Sequence, residues 1–380
     1  MNIFHIITGL NDGGAEAVLF RLCTHDQDNQ HTVISLMDEG KYGPLLRERG
    51  IIVHCLGMPQ GRVTPGGLLR LWGLLRRLRP EVVQTWMYHA DLVGGLVARL
   101  AGVRHVCWGI RHTTLEPGSS KQSTIMVAKL CAKLSHWVPR RIVCCAQKAA
   151  EVHQAVGYAA EKCVVIPNGY DLTQFAPDQA SGRRVREEWG IAPSTPLLGM
   201  VGRFDPHKDH GNLIQALGLL KQQGLEFRCA LVGNGLVSAN DELGGWLRRH
   251  DVLDRVLLVG RRNDIPAVMN ALDLHVLSSA GEAFPNVLAE AMACGTPCVT
   301  TDVGDAAVIV GDTGWVVPPR NPQALAQAMV QAFTARQEST SWQARRQAAR
   351  ERVADKFSIE RMVRAYRQVW QKAAIKQESS

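Results

Sequence analysis

The chain has 380 residues, 46% of them hydrophobic, with a formal net charge of +8 and a mean hydropathy of -0.07. That hydropathy is ordinary for a soluble globular protein, and the length is too great for one hydrophobic core, so two domains are expected. No apolar run approaches the ~20 residues that span a bilayer, and ten scattered cysteines without a C-x-x-C pair argue for reduced thiols in a cytoplasmic protein rather than a disulfide framework.

From the first residue, Asn2–Thr8 reads as a buried strand running into the loop Asn11-Asp12-Gly13-Gly14, rather than as a signal peptide with its basic leader. Short β-branched runs then alternate with segments of helical period. Thr32–Leu36, Ile51–Leu56, Val82–Thr85, His105–Trp108, Ile142–Cys145 and Val164–Ile166 complete a first sheet. Helices are expected over Gly14–His25, Leu68–Leu78, Ala90–Leu100, Ser123–Trp137 and Gln147–Val156. A second series of strands follows at Leu197–Val201, Phe227–Val232, Val256–Val259, Leu274–Leu277 and Cys298–Thr301, again with helices between. Such alternation, with continuous apolar strands, indicates parallel sheets covered on both faces. Two sets predict two doubly wound α/β domains, residues 1–177 and 178–357. The boundary is placed in Pro177–Pro196, whose segment Asp178-Gln179-Ala180-Ser181-Gly182 reads as polar and flexible. The tail is helical over Gln323–Thr334, Trp342–Lys356 and Ile359–Ala374. In the last of these, Ile359, Met362, Val363, Tyr366, Val369 and Trp370 recur at helical spacing, so it packs against another element.

Charge is unevenly placed. Between Gln60 and Lys148 stand 14 Lys/Arg against 3 Asp/Glu, which leaves the remainder slightly acidic. Such a block suits an anionic partner, although a merely solvated basic face has the same composition. Within it, Leu68-Leu69-Arg70-Leu71-Trp72-Gly73-Leu74-Leu75-Arg76-Arg77-Leu78-Arg79 is apolar and cationic together. It suits either a segment resting on an anionic membrane surface or the buried face of a helix. Nucleic acid is disfavoured, because interleaved aromatics and a reader motif are lacking.

The densest chemistry lies in Ser278-Ser279-Ala280-Gly281-Glu282-Ala283-Phe284-Pro285-Asn286-Val287-Leu288-Ala289-Glu290-Ala291-Met292-Ala293-Cys294-Gly295-Thr296-Pro297. It follows an apolar strand, Pro285 suits a helix start, and Gly295 with Pro297 suits its end. A helix N-terminus at the carboxyl edge of a parallel sheet attracts phosphate. Glu282 before the helix and Glu290 within it stand roughly 10 Å apart along the axis. Two acids beside a phosphate site make sense when the phosphate carries hydroxylated groups on both sides. A cap and a solvated helix residue are the plainer alternative for these acids taken alone. Earlier, Gly199-Met200-Val201-Gly202-Arg203-Phe204-Asp205-Pro206-His207-Lys208-Asp209 leaves a strand with two cations in one loop. They suit the charge that builds on a departing nucleoside diphosphate.

Together these stretches resemble the large retaining GT-B glycosyltransferase family with the E-x7-E motif, the group 1 transferases of bacterial surface polysaccharide and lipopolysaccharide. Both glutamates, the glycine before the first and the Ala-Met-Ala-Cys-Gly-Thr-Pro continuation match. The resemblance also takes in Gly13-Gly14-Ala15-Glu16, Gly233-Asn234-Gly235, Val259-Gly260-Arg261-Arg262 and Pro167-Asn168-Gly169-Tyr170-Asp171. It implies two Rossmann-like domains facing a cleft, with a C-terminal helix, residues 358–380, crossing back to the first. It implies donor contacts at Gly14, Arg203, Lys208, Arg262, Glu282, Phe284, Pro285, Asn286, Val287 and Glu290. Glu282, His112, Arg203 and Lys208 stand nearest the chemistry, Glu282 on the sugar and Glu290 on the ribose. The contact near Arg262 is mainly through the main chain, and Pro167–Asp171 is read as structural. His89 and Asp91, after a first-domain strand, are acceptor-side candidates for steering or deprotonating a hydroxyl.

The expected reaction moves a hexose or N-acetylhexosamine with retention from a nucleotide-diphosphate sugar to a lipid-linked oligosaccharide, lipopolysaccharide or polysaccharide acceptor. It needs no cofactor or metal, since no Asp-x-Asp cluster stands out. The setting is cytoplasmic, peripheral on an anionic membrane face. A nucleotide-sugar 2-epimerase of similar fold and a non-catalytic sugar-nucleotide binding module are the alternatives.

Overall fold

The structure is a computed structural model that describes residues 1–113, 115 and 121–374. The chain divides into two compact units, Met1–Gly169 joined by the segment from Ile359, and Tyr170–Ser358.

The first unit runs β1 (Asn2–Ile7), α1 (Gly14–His25), β2 (Gln30–Ser35), α2 (Tyr42–Glu48), β3 (Ile52–Cys55), α3 (Pro65–Leu78) and β4 (Val82–Trp86). It continues through α4 (Tyr88–Leu100), β5 (Val106–Ile110), α5 (Gln122–Leu134), β6 (Arg141–Cys144), α6 (Gln147–Val156) and β7 (Cys163–Val165). All strands are parallel in the order β3-β2-β1-β4-β5-β6-β7. Ile3, Phe4, Ile6 and Ile7 are all buried, because helices cover both faces of the sheet and leave β1 no polar side.

The second unit runs α7 (Gln179–Glu188), β8 (Leu197–Val201), α8 (His210–Gln222), β9 (Arg228–Val232), α9 (Asp241–Arg249), β10 (Val256–Gly260) and α10 (Ile265–Ala271). Then follow β11 (Leu274–Leu277), α11 (Asn286–Ala293), β12 (Cys298–Thr301), α12 (Ala306–Val310), β13 (Trp315–Val317), α13 (Pro322–Gln337) and α14 (Ser339–Phe357). Its strands are also parallel, in the order β10-β9-β8-β11-β12-β13. The edge strand β13 is not among the strands expected from the sequence.

The last helix, α15 (Ile359–Ala374), belongs to the first unit. Its buried residues Ile359, Met362, Val363, Tyr366, Val369 and Trp370 are those that the helical spacing singled out. Trp370 Nε1 donates to Gln84 Oε1 of β4 at 3.2 Å, and Arg367 Nε donates to Asp26 Oδ1 at 2.7 Å. Behind this contact runs a buried chain of side chains. Trp86 Nε1 donates to His5 Nδ1 at 3.2 Å, His5 Nε2 lies 2.9 Å from His31 Nδ1, and His31 Nε2 lies 3.2 Å from Asp26 Oδ2. The indole makes His5 Nδ1 an acceptor, so the His5 proton sits on Nε2 and faces His31 Nδ1. Burial and the neighbouring His31 push the His5 pKa well down, keeping that ring neutral. Burial disfavours charge on Asp26, but His31, Asn29 and Arg367 outweigh it and hold this carboxyl well below its usual range.

The unit boundary falls at Gly169/Tyr170, not at residue 177. The stretch read as a flexible linker is instead the start of α7. Asp178 Oδ1 accepts from the amides of Ala180 and Ser181, a helix cap whose polar composition resembles that of a loop. Gly182 is packed, since a Cβ there would lie 2.5 Å from Asn270 O.

Candidate active site

In each sheet the strand order reverses once, between β1 and β4 and between β8 and β11. Loops leaving neighbouring strands in opposite directions open a crevice at the carboxyl edge, where open α/β sheets take their ligands.

In the second unit the two loops at that point are residues 202–209 and 278–285. Ser278 Oγ lies 3.0 Å from Lys208 O and 2.9 Å from Asp209 O, and Ala280 N donates to His207 O at 2.8 Å. On this scaffold Lys208 Nζ donates to Glu282 Oε1 at 2.6 Å, and Ser279 Oγ donates to the same oxygen at 2.8 Å. The Lys208 and Glu282 side chains are only 17% and 15% exposed. The structure thus brings together the cation and the acid that lie in separate motifs, 74 positions apart. Arg203 leans on Asp205 through Nε at 2.9 Å while its side chain stays 64% exposed, so most of its fork faces solvent. Burial disfavours charge on Asp205, but the His207 amide and Arg203 prevail and hold its carboxyl below the usual range.

Glycines let neighbouring backbone press on both loops. Gly233, after β9, has φ +151°, and a Cβ there would lie 2.0 Å from Gly202 O. Gly304, after β12, has φ +54° and would place a Cβ 2.4 Å from Ala283 O. Only glycine suits such positive φ with backbone so near.

Helix α11 opens at Asn286 without a side-chain cap from Pro285, and Leu288 N donates to Pro285 O at 3.1 Å. Asn286 Oδ1 accepts from Tyr170 Oη at 2.5 Å. Glu290 is half-buried in the helix body. Phe284 is buried with its ring 5.6 Å from that of Phe357, and Pro285 is buried beside it. Their expected donor contacts therefore reduce to backbone, with the Phe284 side chain spent on packing. The Val287 side chain is half-buried. The Arg262 side chain is held by Glu188 and by Asp264 and lies over the Trp189 ring, so it anchors its loop and leaves the main chain for a ligand.

In the first unit Gly14 opens α1, whose N-terminus has no side-chain cap from Gly13. A Cβ on Gly13 would lie 2.3 Å from Glu16 Oε2, and burial raises the pKa of that carboxyl. His89 and His112 are both half-buried, and the Tyr88 ring meets the His112 ring edge-on at 6.4 Å. Burial lowers the His89 pKa, which leaves it neutral and able to accept a proton.

Asp91 departs from its expected role. It is fully buried, its Oδ1 accepts from Thr85 Oγ1 at 2.5 Å and Gly109 N at 3.1 Å, and burial pushes its pKa up to about 8. Asp91 Oδ1 ties β4 to β5 and Oδ2 is buried without a hydrogen-bond partner among the described residues, so no oxygen faces solvent and Asp91 is a structural pin. Sequence position after a strand did not reveal that its side chain turns inward.

Three contributors were not legible as site residues. Met87, beside Gly109 at the end of β4, has φ +71°, a conformation rare outside glycine. Ser279 completes the grip on Glu282. Arg111 fixes the strand end before His112 by donating to Asn168 Oδ1 at 2.6 Å, with its guanidinium 4.5 Å from the Trp86 ring centre and a further bond to Tyr366 Oη.

Two parallel-sheet Rossmann-like units, one with the Lys208–Glu282 contact at its switch point, match the GT-B class of sugar-transferring proteins. Comparison with known proteins gives the family. Residues 12–174 match the model of Glycosyltransferase Family 4, and residues 195–335 that of Glycosyl transferases group 1. The putative glycosyltransferase EpsF of Bacillus subtilis is 26% identical over 310 residues, 79% of each chain. The Escherichia coli UDP-Gal:alpha-D-GlcNAc-diphosphoundecaprenol alpha-1,3-galactosyltransferase is 29% identical over 239 residues, 62% of this chain and 61% of its own. Among solved structures, Anabaena HepE in complex with UDP-glucose superposes with a TM-score of 0.84 at 23% identity, covering 98% of this chain and all of that one. The chain belongs to the group 1 glycosyltransferases of GT-B fold.

Proposed function

We propose that the chain transfers a hexose or N-acetylhexosamine from a nucleotide-diphosphate sugar, with retention and without a metal, to a lipid-linked or polysaccharide acceptor in surface-glycan synthesis. The observation that carries this is the Lys208–Glu282 contact at 2.6 Å beside an uncapped helix mouth and a solvent-facing Arg203. Arg203, Lys208 and the amides of α11 suit a diphosphate, whose charge grows as the bond to the anomeric carbon breaks. In this reading Glu282 orients the transferred sugar and Glu290 accepts from ribose hydroxyls. The anomeric carbon gains its bond to the acceptor oxygen on the face the diphosphate leaves. A departing phosphate oxygen takes the acceptor's proton. The acceptor is assigned to the first unit, where His89 lies in the first turn of α4, after β4, and His112 follows β5. A UDP-sugar donor and a lipid-diphosphate acceptor are supported by the names of the Anabaena and Escherichia coli proteins.

The setting proposed is the cytoplasmic face of an anionic membrane. No helix among the described residues is long and apolar enough to cross one. In α3, Leu71 and Leu75 are buried, which answers the core reading of that segment, while Leu69 and Trp72 are exposed. Leu100 of α4, Met126 and Leu130 of α5, and Trp137 just beyond it are exposed too. Neither α3 nor α5 contains an acidic residue, and the one acid of α4, Asp91, is buried. Apolar side chains among uncompensated cations suit an anionic bilayer surface. Flotation with anionic and neutral vesicles tests this, and equal flotation with both would overturn it.

The transfer itself is tested with a panel of radiolabelled nucleotide sugars, with and without a lipid-diphosphate acceptor. Glycosylated lipid is expected, and Glu290→Ala is expected to weaken donor binding strongly. Release of an epimerised sugar without acceptor, or donor affinity unchanged in Glu290→Ala, would sink the reading.

A further inference from the structure

On the second unit, a cavity of about 450 Å³ lies on the side of the β8 loop formed by Phe204, Asp205 and Pro206, against the start of α8 and one face of α9. Its wall is aromatic. Phe204 has its ring 5.6 Å from that of Trp246 and 5.5 Å from that of the buried His210. Trp246 is half-buried, and Glu242 and Arg249 on the same helix stand about one turn to either side of it. Gln215 of α8 and His250 complete the rim. Among the described residues, the side chains of Gln215, Glu242, Trp246, Arg249 and His250 enter no hydrogen bond or ion pair, so a ring of unspent donors and acceptors surrounds the indole.

The chemistry selects a ligand class. A nucleotide or phosphate would meet Asp205, Asp209 and Glu242 with only Arg249 in compensation. A purely apolar ligand would strand the rim's polar groups. A pyranose satisfies both demands, since its C–H face packs on an aromatic ring while its equatorial hydroxyls both donate to and accept from planar side chains. The volume lies in the range of small-ligand pockets, about 300–1,000 Å³.

We propose that this cavity is a second carbohydrate site, which takes one or two neutral sugar residues of a glycan and lies apart from the donor loops' Lys208–Glu282 contact. Only the choice of ligand rests on the reading of the chain as a glycan-building enzyme. The site shares its backbone with the donor loop, since Phe204 and Asp205 follow Arg203 directly, so an occupied cavity steadies the segment that carries the phosphate-binding cations.

The test titrates the full chain with maltotriose and with the methyl α-glycosides of glucose, galactose and N-acetylglucosamine, followed by calorimetry and ligand-observed NMR. UDP is titrated in parallel. Saturable binding of at least one glycoside is expected with Kd on the order of 1 mM. Glu242→Gln and Arg249→Ala, both at exposed positions, should weaken it at least about threefold while leaving UDP affinity unchanged, and Trp246→Ala should abolish it. Three results overturn the proposal: no sugar binds, the rim variants bind as the parent does, or UDP displaces the sugar competitively. Absent UDP binding in the parent chain would count instead against the donor-site reading.

Discussion

The Lys208–Glu282 contact makes a prediction that distinguishes two roles often merged. The Lys208 ammonium is paired with Glu282 at 2.6 Å, and both side chains are more than four-fifths buried. At that separation and an effective dielectric of about 20, the attraction is ~6 kcal/mol, most of it offset by desolvation, so a net coupling of ~1–3 kcal/mol is expected. On the proposed reading, a nucleoside diphosphate draws Lys208 away from Glu282. Lys208→Ala removes the cation and should weaken UDP binding by ~2 kcal/mol, about 30-fold, because a charged hydrogen bond is lost. Glu282→Gln removes the competitor. UDP, which carries no sugar, should then bind as well as to the parent or up to about tenfold tighter, although transfer falls by about 100-fold. Calorimetry with UDP and initial rates of transfer, run on both variants and the double variant, read the two effects separately. Equal loss of UDP affinity in Lys208→Ala and Glu282→Gln would refute the reasoning, because Glu282 would then be holding the loop rather than competing for its cation.

Other outcomes follow from packing and burial. Asp91, with its pKa raised to about 8 against an ordinary value of 3.8, keeps its proton in the folded state while the unfolded chain has lost it. Native stability from this group therefore falls as pH rises between those values, by up to ~1.4 kcal/mol per pH unit. Asp91→Asn should flatten that slope in urea midpoints measured from pH 5 to pH 8, and a steeper slope in the variant would contradict it. Gly233→Ala places a methyl 2.0 Å from Gly202 O and should cost about 3 kcal/mol and most UDP binding, read by thermal melting and calorimetry. Trp370→Ala, which empties the contact of α15 with β4, should cost ~3–5 kcal/mol in urea denaturation, and a loss below 1 kcal/mol would mean that α15 is loosely held.

Much of the architecture was legible because it depends on short-range periodicity. Strands covered on both faces must be apolar throughout, so β1, β8, β11 and β12 stand out as continuous runs, and α1 and α15 declare themselves by their spacing. The donor-site candidates were legible for a related reason. A loop that leaves a strand with two cations, and a helix mouth flanked by two acids, keep their spacing in one dimension. What sequence could not fix was where side chains point once the chain closes on itself. Asp178 has the composition of a linker and is a helix cap, and Asp91 has the position of a functional acid and is a buried pin.

The sequence by itself therefore determined the two parallel sheets, the family and the candidates for a donor site. Only the tertiary structure decided that Lys208 rests on Glu282, that Phe284 and Arg262 are spent on packing and anchoring, and that Asp91 turns into the core. The reason is physical. Periodicity and spacing are properties of neighbours along the chain, whereas an ion pair between residues 74 positions apart exists only after the order of β8 and β11 in the sheet has set their loops side by side.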